Sequence, residues 1–371
     1  MLRSVLLLAR LVCVLAAAVP AVAQTPLGVV APAAEGSIDG SRRTAITVAV
    51  ETASPAVVSV NVIEVRQVRV RDPFAGFFGA VPSRVYEQQV QGLGSGFVVS
   101  PDGYIVTNDH VAGNASKITV AFPDGSQLDA RLVGSDPETD IALLKVEPPA
   151  PLPFLAFDPE HDPLVGEWAI ALGNPFGLFE AAEATVTVGV VSAIGRDFPA
   201  QQGRTFRDMI QTDAAINSGN SGGPLVNALG RVVGMNTFIY SQSGGSVGIG
   251  FAVPAWRVRR VIDELRATGS VDRSFYTGLN VRPVSDRMAR QLGLAEARGL
   301  VVSSVDDGSP AERAGLRPYD LIVSIGGEPV RTNEDVRQRL VDNRPGDTVE
   351  IGVLRDGETT TARLTLGTTT G

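Results

Sequence analysis

From Ala56 to Pro254 the chain keeps returning to one device, a short apolar or alternating run followed by a polar turn. "AVVSVNVIEV", "GSGFVVS", "GYIVTN", "KITVAF", "LDARLVG" and "IALLKV" come first, with Pro-Asp-Gly turns at 101–103 and 123–125. "EWAIAL", "TVTVGVVSAIG", "RVVGMNTF" and "VGIGFAVP" continue the series. Neighbouring side chains of a strand point to opposite faces, so each run has an apolar face that another run must cover. Many short strands at this spacing predict an antiparallel β-barrel or sandwich. The stretch from Asp72 to Gln91 breaks the rhythm and is expected to be a surface loop.

A helix closes the series. Pro254 suits its first turn, Val258, Val261, Ile262 and Leu265 fall at i, i+3, i+4 and i+7, and Gly269 ends it. A short polar connection over 270–275 leads to a second unit, about 275–367, which mixes strands with two helices. Ser309-Pro310-Ala311-Glu312 reads as a capping box with proline at the first helical position, and Gly315 stops that helix. Another helix begins near Thr332 or Asn333 and runs to about Val341. The length, 371 residues, is enough for two domains of ordinary size.

The first residues, "MLRSVLLLARLVCVLAAAVPAVAQ", read as a secretory signal over 1–23: Arg3 and Arg10 flank a short apolar core, and Ala21-Val22-Ala23 is a cleavage site. An uncleaved anchor is the alternative. The apolar core from Leu11 to Val19 is too short for a bilayer core of about 30 Å at about 1.5 Å per residue. Residues 24–44 then form a flexible leader rich in Ala, Gly and Pro. The only cysteine, Cys13, leaves with the signal, which excludes disulfides and thiol chemistry in the exported chain. The net charge of −8 argues against nucleic acid as a partner, because a phosphate-binding surface is basic.

The chemistry is narrowed by scarcity, since the chain holds two histidines. His161 sits among prolines and acids and reads as a solvated loop residue. His110 ends an apolar strand in "GYIVTNDHVAG". Alone it is more simply structural, and its company argues otherwise. In "INSGNSGGPL", Ser221 is ringed by small residues; Gly219 and Gly222 let backbone fold tightly, so that the N–H groups of Gly219 and Ser221 can converge. An activated serine needs a base, a group that orients the base and donors for the oxyanion. Asp109 adjoins His110 and, on a strand, would point to the opposite face. Asp140, heading the buried run "DIALLKV", needs a donor such as His110 Nδ1–H.

Taken together, "GSGFVVSPDGYIVTNDHV", "DPETDIALLKV", "ALGNPFG", "QTDAAINSGNSGGPLVN" and "GSPAERAGLRPYDLIVSIGGEPV" resemble an HtrA (DegP-like) serine protease with one PDZ domain, over about residues 45–367. The resemblance implies a mostly β fold, a chymotrypsin-like double β-barrel over 45–269 followed by a small α+β PDZ domain over 275–367. It also implies His110 as general base, Asp140 as its orienting group, Ser221 as nucleophile, and an oxyanion hole at Gly219 and Ser221. No cofactor or metal is expected. Asp109 stands where the family usually has asparagine, and Ser218 where proline or arginine is more typical. "FEAAEA" near Glu180 to Ala184 is an insertion.

Ala215 takes the place of a trypsin-like aspartate, and Ile216, Thr237, Ile239 and Tyr240 would form a modest apolar S1 pocket, with ordinary core packing as the alternative. Tyr276, Thr277, Gly278 and Leu279 match a PDZ carboxylate-binding loop, which takes peptide C-termini by strand addition. Val336 and Leu340 form either the groove wall or core. Arg196 matches the family's regulatory loop arginine. The implied function is a periplasmic, ATP-independent endopeptidase acting on unfolded or misfolded polypeptides, as a homotrimer or higher multiple. A regulated site-specific protease, or a silent barrel serving a chaperone or peptide-binding role, are the alternatives.

Overall fold

The structure is a computed structural model and describes residues 40–70, 84–158, 163–175, 184–201, 203–217, 219–239, 246–291 and 298–368. The expected signal over 1–23, most of the leader, His161, Ser218, Tyr240 and most of the "FEAAEA" insertion lie outside them. Among the described residues no helix is long and apolar enough to cross a membrane.

After a helix, α1 (Ala45–Ala53), two six-stranded barrels follow in sequence. The first takes β1 (Val57–Val70), β2 (Arg84–Val98), β3 (Tyr104–Thr107), β4 (Lys117–Ala121), β5 (Gln127–Asp136) and β6 (Ile141–Lys145), closing in the order β1-β2-β3-β6-β5-β4. A one-turn helix, α2 (Asp109–Ala112), hangs between β3 and β4. The second takes β7 (Trp168–Gly173), β8 (Thr185–Gln201), β9 (Arg204–Thr212), β10 (Pro224–Val226), β11 (Val232–Ile239) and β12 (Gly250–Pro254), closing as β10-β11-β12-β9-β8-β7. The double barrel agrees with the expectation.

Two readings need correction. Residues 84–91, expected in a loop, form the start of β2 and pair with β1 from Val70↔Arg84 to Ile63↔Gln91. Glu87, Gln88, Gln89 and Gln91 are exposed, so this ribbon is wet on both faces and shows no apolar alternation. β9 went unread because β8 and β9 pair with repeated register shifts, which shuffle the buried positions of "RTFRDMIQT" out of a period of two.

One core runs through both barrels. Phe97, Ile105, Leu143 and Leu144 join Ile170, Leu172 and Met235, and α3 (Ala255–Thr268) lays Val258, Val261, Ile262 and Leu265 against them. These are the four positions that the helical spacing picked out. Gly269 ends α3 in the left-handed region, φ 78°.

The last unit is an antiparallel sheet with three short helices, α4 (Asp286–Gln291), α5 (Pro310–Arg313) and α6 (Asn333–Arg339). Its strands β14 (Leu279–Pro283), β15 (Leu300–Val305), β16 (Leu321–Ile325), β18 (Thr348–Arg355) and β19 (Glu358–Thr365) lie in that order, with β17 (Glu328–Pro329) paired to β16. β13 (Phe275–Tyr276) pairs separately with β20 (Gly367–Thr368). At α5 half of the expected capping box forms: Ser309 Oγ accepts from Glu312 N at 3.1 Å, while the Glu312 carboxylate accepts from Gly308 N. Ser309 N is already donating to the Asp306 carbonyl.

Charge pairs clamp this unit to the barrels. Arg257 of α3, 2% exposed, donates twice to Asp342 at 2.7 Å, and Arg273 does the same to Asp136 of β5. Arg344 bonds Glu264, and Arg339 of α6 bonds Asp197 of β8. Removing one partner of a buried pair strands the other charge at a cost of about 3–5 kcal/mol. Asp342→Ala is therefore expected to lower the melting temperature by several degrees, which calorimetry reads directly. An unchanged transition would mean that the clamp contributes nothing.

Candidate active site

The segments singled out in the sequence meet where the two barrels face each other. His110 lies in α2 and not on a strand, because β3 stops at Thr107. Asp109 shares that helix, so strand alternation does not separate it from His110, contrary to expectation. The Asp109 carboxylate is instead taken by Arg204 Nη2 at 3.1 Å.

Asp140 is the best-connected side chain of the site. It precedes β6 with φ 60°, a left-handed conformation uncommon outside glycine and best tolerated by Asp and Asn. His110 Nδ1 sits 2.8 Å from Oδ2 and 3.0 Å from Oδ1, and His110 N donates to Oδ1 at 3.0 Å. Thr237 Oγ1 donates to Oδ2 at 2.8 Å and Arg204 Nε to Oδ1 at 3.0 Å. The backbone carbonyl of Asp140 accepts from Asn108 Nδ2. Asp140 is 1% exposed, and burial alone would push its carboxyl up. The hydrogen bonds and charge of His110 outweigh this and hold it below the usual carboxylate range. The His110 side chain keeps 38% of its surface open, so the imidazole edge remains reachable.

Ser221 sits in the turn before β10 and is buried. Its hydroxyl donates to the Thr237 carbonyl at 3.1 Å, and among the described residues no hydrogen bond joins it to His110. Thr237 thus touches both sides of the site, its carbonyl on Ser221 and its hydroxyl on Asp140. Among the described residues neither Gly219 N–H nor Ser221 N–H has an acceptor, which leaves two donors for an incoming anion. Ser95 straps the loop: its hydroxyl donates to the Gly219 carbonyl at 2.6 Å, and its N–H donates to the Ser221 carbonyl at 2.9 Å.

Close packing is why the loop is so rich in glycine. Gly222 has φ 83°, and a Cβ there would lie 2.3 Å from Ser95 O and 2.5 Å from Thr107 Oγ1. A Cβ on Gly219 would meet Pro175 at 2.5 Å. Gly222→Ala combines backbone strain with collision against fixed backbone and is expected to cost about 2 kcal/mol or more. At roughly 2–4 °C per kcal/mol, thermal unfolding would register the loss, and a variant as stable as the parent would contradict it.

Of the four expected S1 residues, the side chains of Ile216 and Thr237 are described, and both are buried. Ile216 is 1% exposed and packs in a small core with Ala214, Leu225 and Val233. Thr237 is corrected: its side chain is committed to Asp140 and supports the carboxylate. Ile239 belongs to β11, but its side chain and Tyr240 lie outside the described residues. Gly250 of β12 passes so near Ile216 that a Cβ would approach it to 2.5 Å, a neighbour the sequence did not indicate.

In the last unit, Tyr276 donates its hydroxyl to Asp306 at 2.8 Å, and the Thr277 carbonyl accepts from Ala311 N. Gly278 has φ 73° and presses on Ser309, so only glycine fits. Leu279 opens β14, an edge strand with a neighbour on one side, which is what strand addition requires. Leu340 is core, and Val336 packs against it half-buried. Arg196 is exposed on β8, while its neighbour Asp197 carries the contact to α6. Among the described residues no cluster of His, Cys, Asp and Glu could hold a metal ion.

Comparison with known proteins finds relatives for both parts of the chain. A trypsin-like peptidase domain matches residues 94–235 and a PDZ domain residues 276–366. The chain is 44% identical over 275 residues to a protein of Rhizobium meliloti named probable periplasmic serine endoprotease DegP-like, covering 74% of this chain and 53% of that one. A protein of the same name from Chlamydia trachomatis is 46% identical over 292 residues, covering 78% and 57%. The chain thus spans about half the length of the curated relatives it matches. A solved structure described as the HtrA-type protease AlgW with decapeptide is 37% identical with a TM-score of 0.62, covering 87% of this chain and 98% of that one. A serine endoprotease from Yersinia pestis is 33% identical with a TM-score of 0.55, covering 87% and 98%.

Proposed function

Because this chain belongs to the HtrA (DegP-like) family of serine proteases with a single PDZ domain, we propose that it is an exported, ATP-independent serine endopeptidase cleaving unfolded or misfolded polypeptides. The observation that carries this reading is the clasp between His110 Nδ1 and the buried Asp140, with Ser221 joined to the same cluster through Thr237.

His110 is the general base. Asp140 accepts the Nδ1 proton, so the lone pair of Nε2 faces outward and the imidazolium that forms is stabilised. The Ser221 hydroxyl turns from the Thr237 carbonyl to Nε2 and loses its proton there as Oγ attacks a peptide carbonyl. The N–H groups of Gly219 and Ser221 receive the oxyanion. The imidazolium then protonates the leaving amine, and water hydrolyses the acyl-enzyme through the same base. Peptide C-termini bind at the β14 edge beside Tyr276, Thr277, Gly278 and Leu279. The periplasm is supported by the names of the relatives, and the family's trimer of barrel domains is the assembly proposed.

A second reading, a protease latent until a peptide binds, is favoured by one observation: the Ser221 hydroxyl rests on Thr237. Digestion of β-casein by the exported chain, against Ser221→Ala, with N-terminal sequencing of the fragments, tests both. Cleavage after small apolar residues by the parent alone supports the general protease. Cleavage only when a peptide with an apolar C-terminus is added supports the latent form, and no cleavage under either condition rejects both.

A further inference from the structure

Arg204 is a feature that the triad does not need and the sequence did not flag. It opens β9, just past the turn of the β8–β9 hairpin, and its side chain is 18% exposed. Its guanidinium bridges two buried carboxylates, with Nε on Asp140 Oδ1 at 3.0 Å and Nη2 on Asp109 Oδ2 at 3.1 Å. The next residue anchors the hairpin beside them, as Thr205 N donates to the Glu138 carbonyl at 2.7 Å. Asp109 itself is 4% exposed, and its carboxylate lies so close to Gly113 that a Cβ there would come within 2.0 Å of Oδ1.

A cation on Asp140 alone would be harmful. Proton transfer from Ser221 creates an imidazolium, and a carboxylate already neutralised by arginine would stabilise it less. The second carboxylate resolves this. With Asp109 and Asp140 ionised and Arg204 charged, the cluster carries a net charge of about −1, the same as a lone carboxylate, while the arginine fork adds orientation. We propose that Arg204 and Asp109 are a matched pair of positioning residues: Arg204 fixes the Asp140 carboxylate against His110, and Asp109 cancels the charge that Arg204 brings.

Among the described residues, three charged groups are linked to His110 directly or through Asp140. From α2 comes Asp109, from the turn before β6 comes Asp140, and from β9 comes Arg204. Glu138 of the same turn faces Arg273 at 3.7 Å and Arg337 at 4.0 Å, and Asp136 is paired to Arg273 at 2.7 Å. The inference rests on His110, Asp140 and Ser221 acting as proposed above. Arg204→Ala leaves two carboxylates and about one extra negative charge, so the acid limb of kcat/KM should move to higher pH by about one unit. Asp109→Asn leaves a neutral Arg204–Asp140 pair, so the limb should move to lower pH while kcat/KM at neutral pH falls about tenfold. The double variant restores the net charge and should return the limb close to that of the parent, with kcat still reduced.

The test is kcat/KM on a fluorogenic peptide from about pH 5 to about pH 9 for the parent, both single variants, the double variant and Arg204→Lys. Arg204→Lys keeps the charge without the fork and should keep the acid limb while lowering kcat. Opposite displacements in the two single variants, cancelling in the double, support the pair. Displacements in the same direction, or none, overturn it, as a purely structural bridge would lower activity without moving the limbs apart. If the parent itself does not cleave, the protease reading fails instead. The pair is then judged by NMR titration of the His110 ring, in the whole chain carrying Ser221→Ala, where only two histidines contribute signals.

Discussion

Ser221→Ala is expected to reduce kcat/KM on a peptide substrate by about 10⁴- to 10⁶-fold, the range for loss of the nucleophile in comparable triads. The residual rate would come from the N–H groups of Gly219 and Ser221 and from substrate binding, which the substitution leaves in place. Stability should change by no more than about 1 kcal/mol, since one hydrogen bond to the Thr237 carbonyl is lost and a buried side chain of nearly the same size remains. Binding of a peptide with an apolar C-terminus, measured by calorimetry, should be unaffected, because β14 lies in a separate sheet. A variant retaining a tenth of the parental activity would remove Ser221 from the nucleophile's role.

Asp140→Asn should lower kcat/KM by about 10⁴-fold, and it isolates charge from backbone conformation. Asparagine tolerates the left-handed φ of 60° almost as well as aspartate, so the turn before β6 should persist. The amide replaces one acceptor oxygen by a donor where four donors converge, from His110 N, His110 Nδ1, Arg204 Nε and Thr237 Oγ1. At least one must go unpaired, or the imidazole must take the tautomer that leaves Nε2 protonated and useless as a base. The pH dependence of stability follows from the depressed carboxyl. Its contribution is complete above its ordinary value of 3.8 and is lost as pH falls through the lower folded value. The melting temperature of the parent should therefore exceed that of Asp140→Asn at neutral pH, and the gap should narrow in acid below about pH 3.8. A constant gap would show that the carboxylate's charge does not matter to the fold.

Much of this site was legible in the chain because its requirements are local. "GNSGG" announces a loop packed too tightly for side chains, and Gly222 bears that out with contacts that any Cβ would violate. Asp140 could be chosen because a carboxylate at the head of an apolar strand must find a donor. The apolar spacing of α3 and the alternation of most strands were readable for the same reason, since burial imposes a period on sequence.

Other features depend on residues brought together from distant elements, and no pattern along the chain records them. β9 hides behind bulges, and the outer half of β2 is wet on both faces, so neither shows the period that burial would write. Thr237 reads equally well as a pocket wall or a carboxylate partner until β11 is laid beside Asp140. Ser95 and Arg204 reach the site from other strands, and nothing near them in sequence hints at what they touch. The sequence alone determined which side chains could do chemistry and which loop had to be small. The tertiary structure alone decided their hydrogen-bond partners, above all the arginine shared between two buried carboxylates, because partner choice is a matter of distance in space and those distances arise only when the barrels close.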